Sequence, residues 1–275
     1  MGIKLNHPMS VEIFKPTKLL SPYVQGIWAA DTYHSHASAA IKHFISDAAS
    51  GFIFVLQGSI AIDGQRFEQG VIWQPTRKKA YTMEFSSNAK VVGFRFQPAV
   101  GAIICSELPT STCQLTEVTS SLDGLTLQLT ELFNELTGSA GQWHKISTVY
   151  RWLIRTIDFA LVVPESISNI FQIISPQSEV TYSEQLIISP RQLQRQFNRW
   201  LNMTPVYYKR LIRVHRSVAA LRNDPPENLA AFAISQGFSD QAHMTREFQS
   251  IANITPYRFL KNCSDTASVK LQPAS

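Results

Sequence analysis

Two short helical patterns flanking one long helix constrain this 275-residue chain more than any other feature. The first opens at Ser189-Pro190-Arg191-Gln192. Serine caps a helix by accepting from free N–H groups of the first turn, proline fits the first helical position, and glutamine three places on completes a capping box. Leu193, Phe197 and Leu201 then recur at i, i+4 and i+8 and face inward, which leaves Arg191, Gln194, Arg195, Asn198 and Arg199 on the exposed side. Thr204-Pro205 starts the long helix and Asn223-Asp224-Pro225-Pro226 ends it; about 18 residues at 1.5 Å each span roughly 27 Å. Beyond it, Leu229, Phe232 and Ala233 form an apolar stripe, Gly237 lets the chain turn, and Ser239 caps a last helix. Phe238, Met244 and Phe248 point inward there, and Asp240, Gln241, His243, Thr245 and Arg246 stay exposed.

Charge placement fits a polyanionic partner. Residues 1–164 carry 13 basic and 12 acidic side chains, whereas residues 165–262 carry 11 and 7. No carboxylate lies between Glu184 and Asp224, yet Arg191, Arg195, Arg199, Lys209, Arg210, Arg213, Arg216 and Arg222 all do. A solvated helix face mixes signs to gain i,i+4 pairs, so an unmixed run reads as an electrostatic footprint for nucleic acid. Arginine pairs with guanine, and glutamine or asparagine with adenine, through bidentate hydrogen bonds in the major groove. Successive major grooves on one face of DNA lie about 34 Å apart, a distance that one long helix with a helix-turn-helix at each end can bridge.

These residues resemble the AraC/XylS-type DNA-binding domain. The likeness runs from about Ile167 to Leu260 and is concentrated in SPRQLQRQF (189–197), TPVYYKRLIR (204–213), GFSDQAHMTREF (237–248) and ITPYRFL (254–260). It implies a bacterial transcription regulator, an activator or a repressor, with an N-terminal effector-binding or dimerisation domain. It also implies base reading by Arg191, Gln194 and Arg195 on the first recognition helix, to which the exposed face adds Asn198, and by Gln241, Thr245 and Arg246 on the second. Arg199, Lys209, Arg210, Arg213 and Arg216 are then the expected phosphate contacts. Asn202 and Asn253 stand where the family usually has glycine, and asparagine is the commonest other residue at positive φ.

The N-terminal part reads as β. Phe52, Phe54 and Leu56, then Ile60 and Ile62, recur at period two, Val71–Trp73 and Val91–Phe96 form further strands, and Gly58-Ser59 and Asp63-Gly64 are hairpin signals. After Pro109 the period turns helical, with Leu122, Leu125, Leu129, Leu132 and Leu136 as a seam about two heptads long. Trp143, Ile146, Tyr150, Leu153 and Ile157 follow along one stripe of a second helix. The expected fold is α+β. A cupin-like antiparallel barrel or jelly roll with helices at 121–137 and 142–162 occupies residues 1–163. An all-α domain occupies 164–262, with helix-turn-helix units at about 179–202 and 226–250 joined by a helix over 205–222, and a flexible tail follows at 263–275.

Phe54, Trp73, Arg77, Lys78, Tyr81 and Phe94 are the candidates for an effector pocket, although aromatic stripes on strands are more often core. The leucine seam is the dimerisation candidate, against the alternative that it packs on its own barrel. His34 and His36 with His43 suggest a cupin metal site, but no further histidine follows before His144, so no metal or other cofactor is expected. The rival functions are a cupin-type metalloenzyme and a family member that no longer binds DNA and acts by heterodimerising. Nucleophile-elbow and phosphate-loop motifs are absent from the sequence. Cys105, Cys113 and Cys263 show no paired spacing and read as structural. No apolar stretch reaches the ~18 residues of a membrane span, and the start MGIKLNHPMSVEIF has no secretion-signal pattern. The expectation is a cytoplasmic homodimer with double-stranded DNA, RNA polymerase and a small-molecule effector as partners.

Overall fold

The structure, a computed structural model, describes residues 9–16, 18–32, 40–105, 108–115, 123–139, 141–157 and 189–269. Contacts divide the chain into two compact units. One comprises Met1–Phe44, Ala49–Thr76 and Tyr81–Asn202; the other comprises Ile45–Ala48, Arg77–Ala80 and Met203–Ser275.

The first unit is built on two antiparallel sheets. The larger has the order β1 (Met9–Phe14), β2 (Val24–Thr32), β9 (Lys90–Phe96), β4 (Gly51–Gln57), β7 (Gly70–Gln74), β10 (Cys113–Gln114). The smaller runs β3 (Ala40–Phe44), β8 (Tyr81–Phe85), β5 (Ile60–Ile62), β6 (Gln65–Phe67). Among the described residues both sheets end in unpaired edge strands, so the expected barrel is an open sandwich rather than a closed cylinder.

Alternation along the strands sorts side chains into two cores. Ile53, Val55, Ile72 and Val91 from the larger sheet meet Ile60, Ile62, Phe67, Met83 and Phe85 from the smaller one. On the opposite face of the larger sheet, Phe52, Phe54, Trp73, Phe94 and Phe96 meet helices α2 (Asp123–Thr137) and α3 (Gln142–Thr156). A short helix α1 (Val100–Ile104) adds Val100 to this side. With both faces covered, β4 is buried from Gly51 to Leu56, which is why it reads as an unbroken apolar run.

The two glycine turns have different fates. Asp63-Gly64 is a two-residue hairpin, with φ of 49° and 83°, joining the paired strands β5 and β6. Gly58-Ser59 makes no hairpin, because β4 and β5 lie in different sheets. Gly58 instead turns the chain from one sheet to the other at φ 73°, where a Cβ would stand 2.6 Å from Ser86 Oγ. The Ser59 N–H donates to that same oxygen at 2.9 Å.

Helix α4 (Pro190–Leu201) groups with this unit. The second unit holds α5 (Pro205–Asn223), α6 (Leu229–Ser235), α7 (Gln241–Ala252) and α8 (Pro256–Val269). The last of these carries helix through Cys263 to Val269, where the sequence suggests a tail. The expected first helix of the N-terminal helix-turn-helix, between about 179 and 188, lies outside the described residues.

Candidate DNA-binding surface

Helix α4 begins as its sequence dictates. Ser189 accepts from the Gln192 N–H, the Gln192 side chain accepts from the Ser189 N–H at 2.8 Å, and Pro190 occupies the first turn. Leu193, Phe197 and Leu201 are buried, and Arg191, Gln194, Arg195, Asn198 and Arg199 are exposed. At its end Asn202 takes the left-handed conformation at φ 52°, replacing glycine as its sequence position suggests. The outward face thus carries three arginines, a glutamine and an asparagine.

Thr204 caps α5 by accepting from the Tyr207 N–H at 3.1 Å. The helix is 19 residues long, which at 1.5 Å per residue gives about 28 Å. Tyr208, Leu211, Val214, Val218 and Leu221 form its buried stripe, and Lys209 and Arg216 are exposed. Asn228 caps α6 through the Ala230 and Ala231 N–H groups. Gly237, at φ 77°, makes the following turn.

The cap of α7 is Asp240 rather than Ser239: its carboxylate accepts from the His243 N–H at 2.6 Å. That hydrogen bond holds the Asp240 carboxyl below its ordinary pKa. Ser239 bonds instead with the His243 ring, Oγ to Nδ1 at 3.0 Å. Gln241 and Arg246 are exposed and Thr245 half-buried, its hydroxyl donating to the Gln241 carbonyl at 2.9 Å. Asn253 ends the helix in the left-handed region at φ 55°.

Glu247 is not among the residues that the sequence singles out, yet it joins α7 to α5. It sits on the buried side of α7 with Met244, Phe248 and Ile251, and its side chain is 5 % exposed. Its carboxylate accepts from Arg210 at 2.8 Å and from Arg213 at 2.8 and 3.3 Å, so two of the expected phosphate contacts are spent on an internal ion pair. Burial by itself raises the carboxyl pKa, but the hydrogen bonds and charges of the two arginines outweigh it and hold the group below the ordinary range. A glutamate spaced with Met244, Phe248 and Ile251 on one stripe was the available signal.

The effector candidates scatter. Phe54, Trp73 and Phe94 lie on the helix-covered face, where Phe52 stacks near Trp73 at 5.0 Å and Phe94 near Trp152 of α3 at 5.8 Å, so they are core. Arg77 and Lys78 fall in the segment grouped with the second unit. Tyr81 faces the space between the sheets. There Arg95 donates to the side-chain amide oxygen Oε1 of Gln74 at 3.2 Å and to the Tyr81 hydroxyl at 3.3 Å, across the row in which Gly51 pairs with both Gln74 and Arg95. Gln74 is 3 % exposed, and its amide nitrogen has no hydrogen-bond partner among the described residues.

In the seam, Leu129, Leu132 and Leu136 are at most 1 % exposed and belong to the core, with Leu125 packed against it. Leu122 lies outside the described residues, as do His34 and His36, while His43 is exposed on β3. Among the described residues no group of three metal-ligating side chains occurs. Cys105 is buried and its thiol is pushed up to about 12 by that burial, so it carries no reactive thiolate. None of the described helices is long and apolar enough to cross a membrane.

Residues 182–262 match the family model of a helix-turn-helix domain. This segment is a DNA-binding domain of the AraC type, the kind carried by transcription regulators. No curated protein matches the chain in sequence. Among solved structures, ToxT from Vibrio cholerae O395 is similar at 9% identity and TM-score 0.45, covering 92% of this chain and 97% of that one. Wild-type ToxT from Vibrio cholerae strain SCE256, solved with a bound unsaturated fatty acid, gives 11% identity and TM-score 0.41 over 93% and 95% of the two chains. The AraC-like transcriptional activator CuxR gives 10% identity and TM-score 0.25 over 94% and 86%.

Proposed function

We propose that this protein is a sequence-specific transcription regulator that lays α4 and α7 in successive major grooves and answers to a small-molecule effector held by its β unit. The two-sided build of α4 carries the reading. A buried Leu193–Phe197–Leu201 stripe fixes the helix, and the base-reading chemistry of Arg191, Gln194, Arg195 and Asn198 stands entirely outward. Phosphate contacts set register while these side chains set sequence. Selection of bound DNA from a random pool, at a stated salt concentration, tests it. Two enriched blocks about one helical turn apart are expected; no enrichment overturns the reading.

Removing a base reader and removing a phosphate contact have different signatures. Arg195→Ala should cost about 1–3 kcal/mol on the selected site and relax preference at one position, with little change on random DNA. Arg216→Ala should weaken all sequences alike and lower the slope of log K against log salt by about 0.9. Titrations of both variants on selected and random duplexes check the pair.

The effector reading is supported by the polar end of the space between the sheets, where the Gln74 amide nitrogen is buried without an acceptor among the described residues. Such a donor costs about 1–3 kcal/mol unless a ligand or water satisfies it. Binding of the selected site should therefore change on adding a deproteinised cell extract, and Gln74→Leu should abolish that response without weakening basal DNA binding. An extract effect that survives in Gln74→Leu places the effector elsewhere.

A further inference from the structure

We infer that Arg213 is a positioning residue for the second recognition helix and not a phosphate contact, with the Glu247 carboxylate as its anchor. This rests on the DNA-binding reading above and deepens it. Arg213 projects from the middle of α5, and its side chain is 22 % exposed. Its Nη2 and Nε donate to one carboxylate oxygen of Glu247 at 2.8 and 3.3 Å, and its Nη1 donates to the Gly237 carbonyl at 2.8 Å. The guanidinium also lies 4.7 Å from the centroid of the Phe238 ring. A single side chain therefore holds the glycine of the turn, the residue after it, and the helix that the turn launches.

The other Glu247 oxygen accepts from Arg210 Nε at 2.8 Å and faces His243 Nε2 at 3.3 Å. His243 in turn reaches back to Ser239 through Nδ1, and the His243 N–H is bonded to the capping Asp240. The first turn of α7 is thus tied to α5 through Glu247 by way of His243 as well as through Gly237 by way of Arg213. Gln241, Thr245 and Arg246 project from that turn and the next one. A planar fork bonded along two edges and stacked on a ring cannot swing to a phosphate without releasing the helix it orients. Lysine keeps the charge of arginine but cannot reproduce the fork.

The test uses the full chain, a duplex carrying the selected site and a random duplex of equal length, each titrated across a series of salt concentrations. Arg213→Ala should lose preference at the second block, with affinity for the selected site falling at least tenfold. Its salt slope on random DNA should stay that of the wild type, while Arg216→Ala, as a control, loses about 0.9 of slope. Arg213→Lys should fail to restore the second block. This milder change decides the matter alone if Arg213→Ala does not fold: a Lys variant with wild-type preference overturns the inference. So does a loss of about 0.9 of slope in Arg213→Ala. Absence of any selected site for the wild type removes the DNA-binding reading itself and this inference with it, an outcome distinct from a selected site whose recognition ignores Arg213.

Discussion

Leu129→Ala should destabilise the β unit by about 2–5 kcal/mol, the range for a leucine truncated in a core that relaxes only partly. Leu129 is fully buried and sits in the cluster formed by α2, α3 and the helix-facing side of the larger sheet. The deleted methyl groups leave a cavity in a cluster that also holds aromatic side chains from three neighbouring strands. Urea unfolding followed by tryptophan fluorescence is the measurement, because Trp73 and Trp152 belong to or pack against this cluster. A seam used for pairing would behave otherwise. Leu129→Ala would then leave the unfolding midpoint in place and change the sedimentation coefficient, and that outcome would return the leucines to an interface.

The heptad spacing of those leucines was legible, but what it packs against was not. Period alone says that one face is apolar; it does not say whether a sheet of the same chain or a second copy covers it. The same limit explains Phe54, Trp73 and Phe94. Strands buried on both faces offer two equally apolar sides, and sequence alternation cannot distinguish the side that meets helices from the side that meets a second sheet. Gly58-Ser59 signals a hairpin in sequence, and Gly58 does turn the chain at φ 73°, yet the turn changes sheets, because strand partners are chosen by long-range packing. The C-terminal helices were far more legible. Caps at Ser189 and Thr204, proline at the first turns, and asparagine in the left-handed C-caps at 202 and 253 are local devices, each written within a few residues of where it acts.

Charge was legible as composition and misleading as geometry. The carboxylate-free stretch from Glu184 to Asp224 is real in sequence, but Glu247 folds back onto it and takes up Arg210 and Arg213. The cations on α5 that remain exposed, Lys209 and Arg216 among them, are the ones suited to phosphate. Surface counting misses a buried carboxylate shared by two arginines, which takes their charge into the packing of α5 against α7.

Glu247→Ala should accordingly be a damaging change in the helical unit, costing about 1–3 kcal/mol at neutral pH, because it leaves Arg210 and Arg213 without their shared counter-charge while water reaches both guanidiniums, 36 % and 22 % exposed, and screens part of the loss. Amide hydrogen exchange resolved over α5 and α7 reads it, as lost protection in both helices with none lost in β4 and β9. The same carboxylate makes the unit acid-sensitive, and the sign follows from its pKa. The folded value lies below the unfolded one, so the contribution is complete above the unfolded carboxyl pKa of about 4.3 and disappears as pH falls through the lower folded value. Protection in α5 and α7 of the wild type should therefore weaken on acidification below about pH 4. Glu247→Gln, less protected at pH 7, should lose much less over the same range, since it has no proton to take up at that position. Equal acid sensitivity in the two proteins would move the titrating group away from Glu247 and reduce the clamp to an ordinary ion pair.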